Sequence, residues 1–224
     1  MRLQPFLSLA ALFEKHGFHI WLVGGSTRDY LLNRPFFDMD CVTDALPSDM
    51  QSFLFNLNDR FAHYGHVSLM HLDQKIELTT LRVEGQYVDA RHPGSLTFVK
   101  EPKLDVIRRD FTVNGLYLTP SLEVLDFVGG QTDLANKCLR MIGEPNIRLQ
   151  EDPLRIIRAI RFYVKLGFTF EPSLERAIRD NRHFLDQLNA QKVIQEVKKI
   201  DFLDNHAARA VFEKFGLGHL GDIL

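Results

Sequence analysis

The chain has 224 residues, of which 45% are hydrophobic and 25% charged, and its formal net charge is −2. This length allows one large domain or two small ones, and the composition excludes a disordered chain. No apolar run of the sequence approaches the roughly 20 residues of a membrane span, so we expect no membrane contact. Two cysteines are too few for a disulfide framework or a zinc site. We therefore expect a reduced, cytoplasmic setting.

The predicted elements begin with an amphipathic helix from Leu7 to about His16, which we favour over a signal peptide. From about Pro153 onward the pattern is helical throughout. The fold class is therefore α+β, with a mixed sheet first and an all-helical part after a boundary near residues 142–150. Between these ends we first predict a strand at His19–Val23, a helix at Ser26–Leu32, a strand at Met39–Thr43 and a helix after Pro47. Two strands follow at Val67–Leu72 and Lys75–Arg82, joined by a turn at Asp73–Gln74. A loop over Glu84–Thr97 and short strands after Arg109 complete the sheet part.

Charge is distributed unevenly along the chain. Residues 1–136 hold 12 basic and 17 acidic residues, whereas residues 137–224 hold 15 basic and 12 acidic ones. The acidic part suits a divalent metal and the basic part suits phosphates, but ordinary solvated surfaces explain the same counts.

Two aspartates flank Met39 at the start of a predicted strand. Because residues two apart on a strand point to one face, Asp38 and Asp40 repel each other unless a cation lies between them. Their carboxylate oxygens suit Mg²⁺, although an acidic loop before a strand would have the same sequence pattern. The preceding Gly24-Gly25 step lets a ligand approach the backbone, and amides at the following helix start can bind phosphate.

Three further segments carry candidate groups. Alternation in KIELTTLR sets Glu77 on the face opposite Ile76, where it is either a third carboxylate or a solvent-facing edge residue. DVIRRDFTVN holds arginines suited to phosphate and Asp or Asn suited to ribose, or it is a charged helix end. In EDPLRIIRAIRF, Asp152 is a good N-cap, and Arg155, Arg158 and Phe162 lie opposite an apolar face. An acid with Arg155 three positions on can read the edge of a base, or form an ordinary intrahelical ion pair.

The order of GGSTRD, DMD, RRDFTVN and EDPLRIIRAIRF resembles the class II tRNA nucleotidyltransferases (CCA-adding enzymes) and the related bacterial poly(A) polymerases. The likeness covers about residues 18–170. It implies a DNA polymerase beta-like nucleotidyltransferase head at residues 1–145 and a helical, base-recognising neck at residues 146–224. It also implies a two-metal Mg²⁺ site on Asp38 and Asp40, for which Glu77 is the candidate third catalytic carboxylate. The residues implied to bind the nucleotide, ATP or CTP, are Gly24, Gly25, Ser26, Arg28, Arg109, Asp110, Asn114, Glu151, Asp152, Arg155 and Arg158.

The activity that the resemblance implies is addition of C, A or both to the 3′ end of tRNA. A poly(A) polymerase acting on other RNA ends and a non-catalytic nucleotide- or RNA-binding protein with the same fold stay open as alternatives. Asp89 and Arg91 lie in DARHP, which is similar to the flexible loop that these families use for A addition.

Two expectations concern the end of the sequence. The family continues beyond the neck with domains that grip tRNA, so this chain, ending at Leu224, is read either as truncated after the neck or as a natural short form. The apolar side of the last helix, around Val211, Phe212 and Phe215, is predicted to be exposed and available to a second copy.

Overall fold

The computed structural model of the protein describes residues 3–85, 94–200 and 205–223, which form two compact units. The sheet unit contains residues 3–85, 95–109 and 113–131. The helical unit contains residues 94, 110–112, 132–200 and 205–223. Within these described ranges, no helix combines the length and the apolar character that crossing a bilayer requires.

The sheet unit alternates strands with short helices. Its α-helices are α1 (Gln4–Lys15), α2 (Gly24–Leu31), α3 (Pro47–Phe53) and α4 (Pro102–Asp105), and α5 (Gly130–Ala135) starts in this unit and ends in the other. Its strands are β1 (Ile20–Val23), β2 (Asp38–Thr43), β3 (His66–His71), β4 (Gln74–Thr80), β5 (Arg82–Glu84), β6 (Leu96–Phe98), β7 (Leu116–Leu118) and β8 (Val124–Asp126).

The main sheet has the strand order β3-β4-β2-β1-β7-β8. It is mixed, because β2 and β4 run parallel whereas the other neighbouring strands are antiparallel. The hairpin between β3 and β4 turns at Leu72 and Asp73, which both have positive φ (48° and 59°), as a tight two-residue hairpin requires. The turn therefore lies one residue before the predicted position. The predicted strands in this region are confirmed with shifts of one or two residues at their ends.

The core of the sheet unit lies under the face opposite the carboxylates of β2. The helix α1 buries Phe6, Leu9 and Phe13 in the same cluster as Leu22 of β1 and Met39 of β2. These side chains recur at helical spacing along α1, which explains why the segment forms an amphipathic helix. The helix starts three residues earlier than predicted, because Pro5 is acceptable in a first helical turn.

The helical unit packs helices around α7 (Leu154–Leu166). The other elements of this unit are α6 (Pro145–Glu151), α8 (Pro172–Asn181), α9 (Ala190–Val197), α10 (Asn205–Lys214), α11 (Gly218–Gly221), β9 (Cys138–Leu139) and β10 (Thr169–Phe170). The prediction of an all-helical second part is wrong at β10, which pairs in parallel with β9. The helix α7 ends at Leu166, and the next residue, Gly167, has a φ of +68°, which stops the helix before the strand β10.

The predicted exposure of the last helix is wrong. Val211, Phe212 and Phe215 are all buried within the chain. The ring of Phe215 meets that of Phe170 edge to face, with centroids 5.5 Å apart. These apolar side chains pack inside the helical unit, so they are not available for the dimer contact that the sequence suggested.

Candidate active site

The predicted carboxylates lie on two neighbouring central strands. Asp38 is exposed and Asp40 is half-buried, and Met39 between them points into the core. The parallel register sets Glu77 of β4 opposite Asp40. Since opposite residues on paired strands project to the same face, the three carboxylates share one face of the sheet. Lys75 lies opposite Asp38 and donates a hydrogen bond of 2.5 Å to Glu77.

The electrostatics of this face suit a cation. Burial, then the negative charge of Glu77, raises the pKa of Asp40 to about 6, and the guanidinium groups of Arg109 and Arg28 oppose that shift. Carboxylate oxygens are the donors that hard divalent cations prefer. Across the described ranges, no three His, Cys, Asp or Glu side chains are already arranged to hold an ion. The chemistry of the donor set nevertheless fits a divalent metal on Asp38 and Asp40, since a cation would relieve the repulsion.

The turn from β1 into α2 is built by Gly24 and Ser26. Gly24 has a φ of +67°, and an added Cβ would lie 3.6 Å from Oδ2 of Asp40. The backbone conformation, rather than lack of space, therefore favours glycine here. The Ser26 hydroxyl donates to the backbone oxygen of Asp38 and accepts from the backbone N–H of Asp40, both at 3.0 Å. Ser26 thus ties the helix to the carboxylate strand.

Arg28, Asp29 and Asn114 form a buried group next to this turn. The Arg28 side chain donates to Oδ1 of Asp29 at 2.8 Å and to Oδ1 of Asn114 at 2.6 Å. Arg28 is only 1% exposed and Asp29 only 4%, so their ion pair lies in the interior. An added Cβ on Gly25 would lie 3.5 Å from Nη2 of Arg28. The structure therefore brings Asn114 next to Gly25 and Arg28, although it lies 86 positions after Arg28 in the sequence.

Asp105 is the centre of a buried network that the sequence did not single out. Its Oδ1 accepts from the backbone N–H of Arg82 at 3.1 Å and from Nε of Arg108 at 2.8 Å. Its Oδ2 accepts from Arg109, through Nε at 3.0 Å and Nη2 at 2.9 Å, and from the hydroxyl of Tyr117 at 2.8 Å. The signal available in the sequence was the spacing of one acid three and four residues before two arginines.

The Asp105 network predicts a specific loss of stability in acid. Burial alone raises the pKa of Asp105, but Arg109 and Arg108 outweigh it and lower the pKa to about 2, against about 3.9 in an unfolded chain. A depressed pKa stabilises the fold above about pH 4, and that stability is lost as the pH falls toward about 2. We expect this group to contribute about 2 kcal/mol to the loss. Urea unfolding at a series of pH values checks this, and Asp105→Asn should flatten the profile; equal slopes for both proteins would contradict it.

In the helical unit, Asp110 and Arg158 form an ion pair. Oδ2 of Asp110 accepts from Nη2 of Arg158 and from its Nε, the latter at 2.9 Å, and Oδ1 accepts from the backbone N–H of Phe111 at 2.7 Å. Nη1 of Arg161 lies 3.0 Å from Oε1 of Glu196, and Nη1 of Arg158 lies 4.0 Å from the same atom. The sequence predicted Asp110 and Arg158 as separate nucleotide contacts; the structure pairs them and adds Arg161 and Glu196.

Glu151, Arg155 and Arg148 form one hydrogen-bonded group. Nη1 of Arg155 donates to the backbone oxygen of Arg148 at 2.9 Å and to Oε2 of Glu151 at 3.4 Å, and Arg148 donates to the same carboxylate oxygen. Oδ2 of Asp152 lies 4.0 Å from Nε of Arg155. The carboxylate of Glu151 is thus held between two arginines, and Arg148 is a member of the group that the sequence did not indicate.

Pro153 occupies the N-cap position of α7, so the cap predicted at Asp152 is shifted by one residue. Asp152 nevertheless contacts the start of the helix. Its Oδ1 accepts from the backbone N–H of Leu154 at 3.2 Å, which satisfies one of the unpaired donors at the start of α7. The helix begins at Leu154, so Pro153 precedes the first helical residue rather than occupying it. A capping role and a base-reading role for Asp152 are therefore compatible in geometry.

The expected polar face of α7 is only partly correct. Arg155 and Phe162 were predicted to lie opposite the apolar face, but both are buried. The ring of Phe162 meets Phe111 edge to face at 5.6 Å. The reason is that α6, α9 and α10 all contact α7, so the helix is covered on several sides. Arg158 remains partly exposed, as predicted. The loop residues Asp89 and Arg91 lie outside the described residues.

A family model described as the poly A polymerase head domain matches residues 20–140, more than half of the chain. The chain belongs to this family. The matched poly A polymerase head domain includes Asp38, Asp40, Glu77 and Arg109, and the family predicted from the motifs is confirmed.

Curated relatives of this head domain are CCA-adding enzymes. The enzyme of Geobacillus sp. (strain WCH70) is 36% identical over 197 residues, covering 88% of this chain and 49% of its own length. That of Pediococcus pentosaceus is 37% identical over 200 residues, covering 88% of this chain and 50% of its own length. The chain therefore spans about half the length of the curated relatives it matches.

A solved structure has the same fold. The CCA-adding enzyme of Bacillus stearothermophilus in complex with CTP superposes with a TM-score of 0.87 at 31% identity. The match covers 96% of this chain and 53% of that one. The predicted nucleotidyltransferase fold with a mixed sheet is confirmed by this likeness.

Proposed function

We propose that this chain carries the nucleotidyltransferase part of an enzyme that adds C and A, from CTP and ATP, to the 3′ end of tRNA. The observation that carries the proposal is the identity of 36% with a CCA-adding enzyme over 88% of the chain, in a segment that keeps three carboxylates on one sheet face. The bound CTP of the similar B. stearothermophilus enzyme supports a cytidine nucleotide as one substrate.

The sheet unit is proposed to perform the transfer. Asp38 and Asp40 would hold Mg²⁺, whose chemistry is to neutralise the charge that develops on the phosphates and to orient the 3′-hydroxyl. Glu77, opposite Asp40, supplies further negative charge beside that site. Arg28 and Arg109 are assigned to the triphosphate and ribose, because arginine suits phosphate and both guanidinium groups are near enough to Asp40 to oppose the rise of its pKa.

The helical unit is proposed to choose the base. Glu151, Asp152 and Arg155 present carboxylate acceptors and a guanidinium donor within a single group, which suits the polar edge of C or A. The functional division into a head at residues 1–145 and a neck at residues 146–224 belongs to the same proposal. So does a reducing, cytoplasmic setting, which fits two cysteines that form no disulfide.

To test this proposal, the protein is incubated in Mg²⁺ with one of two tRNA substrates and one labelled nucleotide at a time, and incorporation of the label is measured. We expect tRNA that lacks the whole CCA end to gain C, and tRNA that ends in CC to gain A. Long A tails on unrelated RNA would instead identify a poly(A) polymerase. Nucleotide binding by the folded protein with no incorporation into any RNA would support the non-catalytic alternative.

The DARHP segment is predicted to be needed for A addition. The double variant Asp89→Ala with Arg91→Ala should lose most A addition to tRNA ending in CC, on the order of tenfold or more, and keep C addition, because two hydrogen-bonding groups are removed. Gln86→Ala serves as a control in the same segment. Primer extension with each nucleotide measures the ratio, and an unchanged A to C ratio would remove this assignment.

A further inference from the structure

We propose that Asp105 is a positioning residue, which fixes the guanidinium of Arg109 in the orientation that binds the nucleotide. The inference rests on the proposed function, since Arg109 is there assigned to the nucleotide. Asp105 itself is fully buried, so it acts through Arg109 and does not touch the substrate.

The guanidinium of Arg109 is held by hydrogen bonds at its edge and by an aromatic ring at its face. Two of its nitrogens donate to the same oxygen of Asp105, at 3.0 and 2.9 Å. Nε also donates to the hydroxyl of Tyr117 at 2.9 Å, and the guanidinium carbon lies 5.1 Å from the centroid of that ring. Charge-assisted hydrogen bonds together with a cation–π contact restrict the side chain to one orientation.

Asp105 is itself prevented from rotating. Its other oxygen accepts from the backbone N–H of Arg82, the first residue of β5, and from Nε of Arg108. Because both oxygens have partners on different parts of the sheet unit, a rotation of the carboxylate would break several hydrogen bonds at once. The position of Arg109 is therefore set by a rigid support rather than by the nucleotide.

The charge of Asp105 also keeps Arg109 from an alternative partner. The Arg109 guanidinium lies within electrostatic range of Asp40. When the Asp105 carboxylate is neutralised, Asp40 becomes the competing acid for that guanidinium. A shift of Arg109 toward Asp40 would occupy a carboxylate assigned to the metal and would remove a donor from the nucleotide, so nucleotide binding should weaken.

The first test compares Asp105→Asn with Arg108→Gln. Both substitutions remove a buried ion pair of the same carboxylate, but only the first releases Arg109. We expect Asp105→Asn to raise the KM and the Kd for CTP and ATP on the order of tenfold with little change in the KM for tRNA, since each lost charge-assisted hydrogen bond is worth about that factor. Arg108→Gln removes one partner of Asp105 but leaves its bonds to Arg109, Tyr117 and Arg82, so it should lower the melting temperature and raise the KM for nucleotide by less than twofold. Equal KM values for the two variants would overturn the proposal.

A double-mutant cycle separates positioning from general stability. If Asp105 acts through Arg109, adding Asp105→Asn to Arg109→Lys should raise the KM for nucleotide by less than twofold, because contacting residues are not additive. A full tenfold further rise would overturn the proposal. Should Asp105→Asn fail to fold, Tyr117→Phe removes one support of Arg109 and should raise the nucleotide KM severalfold; an unchanged KM would count against the proposal. Absence of transfer by the unmodified protein is a failure of the proposed function instead, and nucleotide Kd values still test the positioning.

Discussion

Replacing Asp40 by asparagine is expected to abolish nucleotide transfer, by about a thousandfold or more, without loss of folding. The magnitude follows because a metal at the reacting phosphate lowers the barrier by several kcal/mol, and each factor of ten in rate corresponds to about 1.4 kcal/mol. The fold should survive because burial and the charge of Glu77 already disfavour the ionised form of Asp40. Asp38→Asn is expected to have an effect of the same order on transfer.

A matched control is available on the same sheet. Asp73→Asn removes a carboxylate from the turn between β3 and β4, and asparagine tolerates the positive φ of 59° found there. This variant should transfer nucleotides at the rate of the unmodified protein. Single-turnover rates in Mg²⁺, with circular dichroism as the check on folding, give the comparison. Near-normal turnover of either Asp38→Asn or Asp40→Asn would show that the metal assignment is wrong.

Replacing Asp152 by alanine should relax the choice of base more than it slows the chemistry. A site that hydrogen-bonds a base rejects the wrong base because polar groups are left unpaired. Removing one such group should therefore improve the relative use of UTP and GTP by about tenfold to a hundredfold, the effect of about 1–3 kcal/mol. The measurement is the ratio of kcat/KM values for the four nucleotides on one tRNA.

The capping role of Asp152 needs a separate control. Its Oδ1 accepts from the backbone N–H of Leu154, so Asp152→Ala should also cost about 1 kcal/mol of stability. Asp152→Ser keeps a capping oxygen but shortens the side chain, so it should restore the stability and leave base choice relaxed. If serine restored both properties, or if alanine slowed all four nucleotides equally, the helix cap would be the whole role of Asp152.

The local elements and the shared face of the carboxylates could be predicted from sequence patterns alone. The alternation of KIELTTLR predicted the buried and polar faces of β4, and the spacing of Asp38 and Asp40 predicted their common face on β2, because a strand has a fixed side-chain period of two. Helical spacing likewise predicted α1 and α7 to within a few residues. Order and spacing of the motifs were enough to identify the family, which the match over residues 20–140 confirms.

Contacts between residues that are distant in sequence could not be predicted and are known from the folded chain. The pairing of β2 with β4 brings Glu77 opposite Asp40, and no local pattern states which strands become neighbours. Arg28 meets Asn114 across 86 positions of sequence, and Asp110 meets Arg158 across 48. The exposure of a helix face is also set by neighbours, which is why Val211, Phe212 and Phe215 were predicted to be exposed but are buried. The spacing of apolar residues shows that one face of a helix is apolar. Which element covers that face depends on how the whole chain packs.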